Sequence, residues 1–306
     1  MAARTFWPQT KLARQEAING FLFILPWAIG YLVFRFGPLL YSLFLSFTDY
    51  RASGAPKLIG IENYVYMFTR DPRFIDSVRS TFLFVIGFLP LNLVIGLGVA
   101  LLMNQRLRGI TFARAVYYLP SVTSGVAVAL LWQFIFHKQW GILNGILGIF
   151  GIPNIGWLVD PTWVMPAFII MSLWAVGGGM IIYLAGLQSI PTELYESASI
   201  DGAGHVRQFR HITLPMLSPT IFFNLVTGLI AAFQIFESAY IMTGGGPRYA
   251  TYFFGLNIYF TAFQSLRFGY ASTLAWVLLA IIVALTLFVF STSRRWVFYP
   301  GAREDS

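Results

Sequence analysis

Six long apolar runs dominate the chain, at about residues 20–47, 81–103, 115–136, 163–187, 219–242 and 271–291. About 20 apolar residues in a helix cross a bilayer core, and each run is long enough to do so. The runs lack the polar–apolar alternation of a membrane barrel, and open sheet edges cannot sit in lipid. The pattern therefore predicts an all-α integral membrane protein with six transmembrane helices. Gly177, Gly178 and Gly179 interrupt the fourth run, and the fifth is the most polar. The first run is too long for a signal-peptide core and carries no convincing small-residue cleavage site, so it reads as a retained span.

An even number of spans puts both termini on one side. Arg106, Arg108 and Arg114 then share a small loop there, and Arg294 and Arg295 abut the last span. Over the whole chain that side holds eleven Lys and Arg and the other side eight. Positive charge marks the cytoplasmic face, so both termini are expected in the cytoplasm. The expected organisation is a cytoplasmic segment at 1–19, a six-helix domain at 20–292 with its longest cytoplasmic loop at 188–218, and a cytoplasmic tail at 293–306.

Composition agrees with the pattern. The chain of 306 residues is 57% hydrophobic and 10% charged, where a soluble domain carries about a quarter charged residues. The net charge of +8 is spread along the chain and forms no compact basic run of the kind nucleic acid requires. With no cysteine, disulfides, thiolate metal sites and cysteine nucleophiles are excluded. His137, His205 and His211 do not make a metal set, and no nucleophile–base arrangement is evident. The G-x-x-x-x-G-K-[ST] phosphate loop is missing, and Gly244-Gly245-Gly246 before Pro247 reads as an external turn.

The loop at 188–218 is patterned. Pro191, Thr192 and Glu193 can open a helix, Leu194, Ala198 and Ile200 follow at near-helical spacing, and Asp201-Gly202 and Gly204 punctuate it. A second short helix is expected at 206–212, ending before Leu214-Pro215. Polar groups inside the spans mark cavities or helix partners. In span five, Phe233, Glu237 and Tyr240 fall on one helical face, with Gln234 on an overlapping one. Aromatic faces beside hydrogen-bonding groups suit sugars. Asn224 reads first as a packing residue, whereas Gln234 and Glu237 fit packing and a cavity equally. Arg35, in span one, is expected either to pair with Glu237 or to sit at a wet surface between subunits, because an isolated charge in lipid is costly.

Glu196-Ser197-Ala198, Asp201-Gly202-Ala203 and Ile212-Thr213-Leu214-Pro215 resemble the EAA loop of bacterial ABC importer permeases, with Ser197 in place of the usual alanine. Asn63-Tyr64, Phe74, the stretch at 115–120, Trp140-Gly141-Ile142-Leu143-Asn144 and the stretch at 242–247 resemble the carbohydrate branch, the maltose-type and glycerol-phosphate-type permeases. The likeness runs from about residue 21 to 299. It implies a type I ABC importer permease fold with a cytoplasmic coupling helix between helices 4 and 5, in a bacterial or archaeal cytoplasmic membrane. The resemblance further implies a second permease subunit, a cytoplasmic ATPase dimer that binds the ATP and magnesium, and an extracytoplasmic solute-binding protein; this chain itself holds no cofactor and binds no nucleic acid. Glu196, Ser197, Ala198, Asp201, Gly202, Ala203, Ile212, Leu214 and Pro215 are then the ATPase-coupling residues. The sugar pathway is expected along Phe233, Gln234, Glu237, Tyr240 and Asn224, with Trp174 and Gly178 on the facing wall. The competing reading is a stand-alone channel or secondary carrier, which has no need of the loop.

Overall fold

The computed structural model describes residues 10–105 and 107–298. Expectations for 1–9, for Arg106 and for 299–306 lie outside these residues. All regular elements among them are helical, beside one isolated bridge between Thr48 and Leu58. The described residues form two compact units, 10–66 with 261–276 and the rest.

In the first unit, helix α1 runs Lys11–Ser46 with a π turn at Leu32–Phe36. Thr10 caps its start by accepting from the Ala13 amide. Its lipid-length window carries no buried residue, which suits a span that faces bilayer or partner chains. Arg35 lies exposed on the π turn. The end of α1 is tied down by side chains. Asn63 Nδ2 donates to the carbonyls of Ser46 and Thr48 at 3.0 and 2.9 Å, and Thr273 Oγ1 donates to the Ser46 carbonyl at 3.0 Å. The Ser46 and Tyr64 hydroxyls are 2.8 Å apart. Gly269 allows the backbone of Thr48 to touch it, with no room for a Cβ. Asn63 thus closes carbonyls that a helix end leaves open, and Tyr64 adds a hydroxyl contact to the same end.

The second unit holds the remaining helices: α2 (Glu62–Arg70, shared between the units), α3 (Pro72–Met103), α4 (Ile110–Val122), α5 (Gly125–Ile135), α6 (Ile142–Ile149), α7 (Pro161–Leu173), α8 (Gly177–Gln188), α9 (Thr192–Ile200), α10 (His205–Gln208), α11 (Leu214–Phe233), α12 (Glu237–Met242), α13 (Phe254–Tyr259) and α14 (Phe268–Ser293, also shared). Asp71 caps α3 on the Arg73 amide, so this helix starts well before the apolar run that announced it. α3 packs against α7, α8 and α11. Ala100, Met103, Met180, Tyr183, Leu187, Ile190 and Leu217 form a buried core at one end of these helices. Small residues bring the helices close, as in membrane interiors generally. Gly96 faces Val176 and Tyr183, and Gly228 faces Leu89. At Gly177 the start of α8 meets the backbone of Tyr117 and Tyr118 in α4.

Four spans are single helices or near-continuous rods: α1, α3, the His205–Met242 segment and α14. The other two are broken. α4 and α5 meet at 101°, and α7 and α8 at 47°. The segment that opens with α10 departs from expectation at both ends. α10 does not stop before Leu214-Pro215; it passes through a π turn at Phe209–Thr213 directly into α11. Pro215 comes just after the π turn, whose widened ring makes room for a residue that has no N–H to give the preceding turn. At the far end α11 stops at Phe233 and the chain restarts as α12 at Glu237.

Between α5 and α7 the chain is organised by one side chain. Asn144, 2% exposed, donates to the carbonyls of Lys138 and Ile155 and accepts from the Ile155 amide and from Trp157 Nε1. An amide is the side chain that can both donate and accept in this way. Asn144→Ala is expected to cost about 3 kcal/mol by stranding these groups. Limited proteolysis across 138–157 would check this, with cleavage at the wild-type rate counting against it.

Candidate functional site

Two features stand out in the second unit. The first is the segment after α8. α9 opens at Pro191 with Glu193 in its first turn, the end of a helix that favours acidic groups. It closes in a Schellman turn: the Ala203 amide donates to Ala198 O at 2.8 Å and the Gly202 amide to Ser199 O at 3.1 Å. The turn needs a left-handed residue, and Gly202 supplies it at φ 75°. Gln208 Nε2 clasps it by donating to Ser199 Oγ and Ala203 O. The Tyr195 hydroxyl lies 3.0 Å from Thr213 Oγ1, and Tyr195 and Ile212 pack on the buried core. The loop is therefore a fixed projection.

Glu196, Ser197, Asp201 and Gly202 lie exposed on this projection, with Ala198 and Ala203 half-buried beside a groove of about 270 Å3. Ile212, Leu214 and Pro215 are half-buried, and Ile212 seats the projection on the core. Sequence reasoning missed two residues here. Ile200 and Val206 are 88% and 82% exposed, flanking the Schellman turn. Large apolar side chains held this far into solvent mark a contact surface. Helical spacing placed Ile200 on α9 but carried no signal of which way it faces.

The second feature is a cavity of about 360 Å3. Three spans break at its wall: α4/α5 at Thr123 and Ser124, α7/α8 at 174–176, and α11/α12 at 234–236. Its polar lining is Ser121, Thr123, Ser172, Gln234, Glu237 and Ser238. The Glu237 carboxylate touches Gly125 at the start of α5, again the helix end that suits a negative charge. Next to it Phe236 and Tyr240 stack at 5.8 Å, and Tyr259 lies 5.1 and 5.0 Å from them.

The expected single face of Phe233, Glu237 and Tyr240 does not exist, because the helix ends between them. Phe233 is 1% exposed and meets Phe82 edge-on at 5.2 Å. Asn224 is buried as well; its Nδ2 donates to Thr220 O, and its Oδ1 lies against Gly179. Gln234, Glu237 and Tyr240 are exposed. Gly178 faces Ser121 at ordinary contact distance, and Trp174 sits at the α7–α8 break, 6.1 Å from Trp132. Arg35 belongs to the first unit, and Glu237 rests on Gly125 in the second.

Irregular backbone at membrane depth is tolerated where it lines a water-filled path or is buried in protein. Broken spans around a polar cavity, with a projection built from the loop joining α8 to α10, fit a membrane permease. The chain belongs to the family described as the binding-protein-dependent transport system inner membrane component, whose model matches residues 92–298. It is 42% identical over 300 residues to the probable ABC transporter permease protein YesP of Bacillus subtilis, covering 97% of each chain. It is 35% identical over 294 residues to the lactose transport system permease protein LacF of Rhizobium radiobacter, covering 94% of this chain and 97% of that one. A crystal structure of a bacterial ABC transporter that imports the acidic polysaccharide alginate aligns with a TM-score of 0.81 at 26% identity, covering 94% of this chain and 99% of that one.

Proposed function

We propose that this chain forms one half of the translocation path of an ABC importer for a sugar. The observation that carries this is the convergence of three helix breaks on one polar cavity, flanked by an aromatic group. Breaks expose backbone donors and acceptors at mid-membrane, where solute hydroxyls can replace water. Phe236, Tyr240 and Tyr259 offer the apolar faces that sugar rings stack on. Relatives named for lactose and for trehalose and maltose support the solute class.

The rest of the cycle follows from the projection. Glu196, Ser197, Ala198, Asp201, Gly202 and Ala203 dock on a cytoplasmic ATPase dimer, together with Ile200 and Val206, while Ile212, Leu214 and Pro215 anchor them. A second permease subunit completes the path, and an extracytoplasmic solute-binding protein delivers the sugar. The ATPase subunits hold the ATP and magnesium. ATP binding draws the docked projections together and opens the cavity outward; hydrolysis reverses it. This orientation puts both termini in the cytoplasm.

Reconstitution tests the reading. Sugar uptake into proteoliposomes is expected only with the second permease, the ATPase, the binding protein and ATP together. Uptake by this chain alone would establish a stand-alone carrier instead. Within the full complex, Gln234→Ala is expected to lower uptake about tenfold, the equivalent of one hydrogen bond to solute, with assembly intact. Wild-type uptake by that variant would remove Gln234 from the path.

A further inference from the structure

Ile142, Ile146 and Ile149 of α6 recur at the spacing of one helical face, and Phe150 continues the stripe. All four are exposed, Ile149 and Phe150 at 81% and 75%. Asn144, on the opposite side of the helix, is buried. The stripe belongs to a long neutral stretch. No residue between Lys138 and Asp160 is charged, where an aqueous loop of that length would carry about five charges.

α6 is held at the level where two spans end. Asn144 ties it to the Lys138 carbonyl, just past α5, at 3.0 Å and to Trp157 Nε1 at 2.9 Å. Trp157 in turn packs edge-on against Trp163, in the first turn of α7, at 5.4 Å. The side of α5 turned away from the cavity runs on into α6. Gly125 lines the cavity, and Phe134 lies half a turn round from it on the same helix. The Phe134 ring meets Trp140, at the entry to α6, at 4.6 Å. Trp140 and Trp163 are both exposed, and tryptophan gathers at the headgroup level of a bilayer. A stripe that is neutral, continuous with the outward side of a span and tied to the ends of two spans lies within reach of hydrocarbon.

We propose that α6 is an interfacial helix: Ile142, Ile146, Ile149 and Phe150 sit among acyl chains at the surface of the leaflet opposite the projection. One span, α7 with α8, separates the two. Seated there, α6 ties the ends of two broken spans to the bilayer. The inference rests on the membrane-permease assignment and is independent of the solute.

The chain has no cysteine, so a single-cysteine variant carries a spin label at one chosen site. Ile149→Cys, Phe150→Cys and, as the aqueous reference, Asn154→Cys are labelled in the assembled permease–ATPase complex in liposomes, with the partner subunits freed of cysteine. All three positions are exposed, so assembly and thermal midpoint are expected to match the wild type. Power saturation reads collision with oxygen, which concentrates in lipid, and with a water-soluble nickel chelate. Labels at 149 and 150 are expected to meet oxygen and exclude the chelate, at a depth of about 5–10 Å in the headgroup–acyl boundary. The label at 154 is expected to show the reverse. Chelate access at 149 and 150 equal to that at 154 would overturn the proposal, since the stripe would then face water. Protection from both reagents would overturn it as well, because another subunit would then cover the stripe. The readout needs no uptake, so it fails or holds apart from the proposed function.

Discussion

Gly202→Asp is expected to leave this chain folded and inserted while abolishing solute-stimulated ATP hydrolysis in the assembled importer. The surroundings of the glycine set this outcome. Gly202 holds φ 75°, and a Cβ built there meets nothing within 4 Å. The only intramolecular penalty is the left-handed backbone, about 1 kcal/mol, and aspartate tolerates that conformation better than most residues. Any larger effect must come from a surface outside the chain. The turn is flanked by Ile200 and Val206, so on the proposed docking an added charged side chain would stand where the ATPase closes on them. A loss of about a hundredfold or more in stimulated hydrolysis is expected, about 3 kcal/mol of docking free energy, with ATPase co-purification reduced. Gly202→Asn separates bulk from charge and is expected to impair docking too, though less. If both variants hydrolyse ATP at the wild-type rate, the projection is not the docking surface.

Gly177→Ala carries the second large effect, and for the opposite reason. Here a Cβ has nowhere to go. It would overlap the Tyr117 carbonyl oxygen, and lie 2.7 Å from that carbonyl carbon and 2.9 Å from Tyr118 Cα. These are backbone atoms, so no rotamer change relieves the clash, and α8 must back away from α4. Overpacking of this kind costs about 1–3 kcal/mol where side chains can yield, and more where they cannot. The adjacent Gly178 is the control: its nearest neighbour, Ser121 Cβ, is at 3.6 Å, and Gly178→Ala should be nearly silent. Thermal unfolding of the purified complex in detergent would show it. A midpoint lowered by several degrees for Gly177→Ala alone is expected, and equal midpoints for the two variants would refute the close approach.

How much of this was legible in the sequence depends on which forces set each feature. The spans were legible because lipid imposes one requirement, apolar length, that hydropathy reads directly. The turn at Asp201-Gly202 was legible because a left-handed backbone asks for glycine. The end of α11 was not. The stretch Phe233-Gln234-Ile235-Phe236 contains neither proline nor glycine, and its periodicity reads as an uninterrupted helix. The break lies against Gly255, where an added Cβ would come 3.2 Å from the Ile235 carbonyl oxygen and from Phe236 Cβ. Local propensity cannot report a contact made by a residue so far along the chain. The same gap separates Phe233 from Glu237 and Tyr240: Phe233 stays on the buried face of α11, while the break carries the two later residues off that face. The 101° bend between α4 and α5 was equally hidden, because hydropathy has no angle in it.

The π turn makes α10 and α11 a single rod from His205 to Phe233, about 43 Å at the usual rise per residue. On the proposed function its two ends answer to different masters: one to the motor, the other to the cargo. The residues proposed to meet cargo begin where the rod stops, at Gln234, so they can be exchanged without changing its length or stiffness. A lineage could therefore retune what it carries, one side chain at a time, while keeping the same engine and the same stroke.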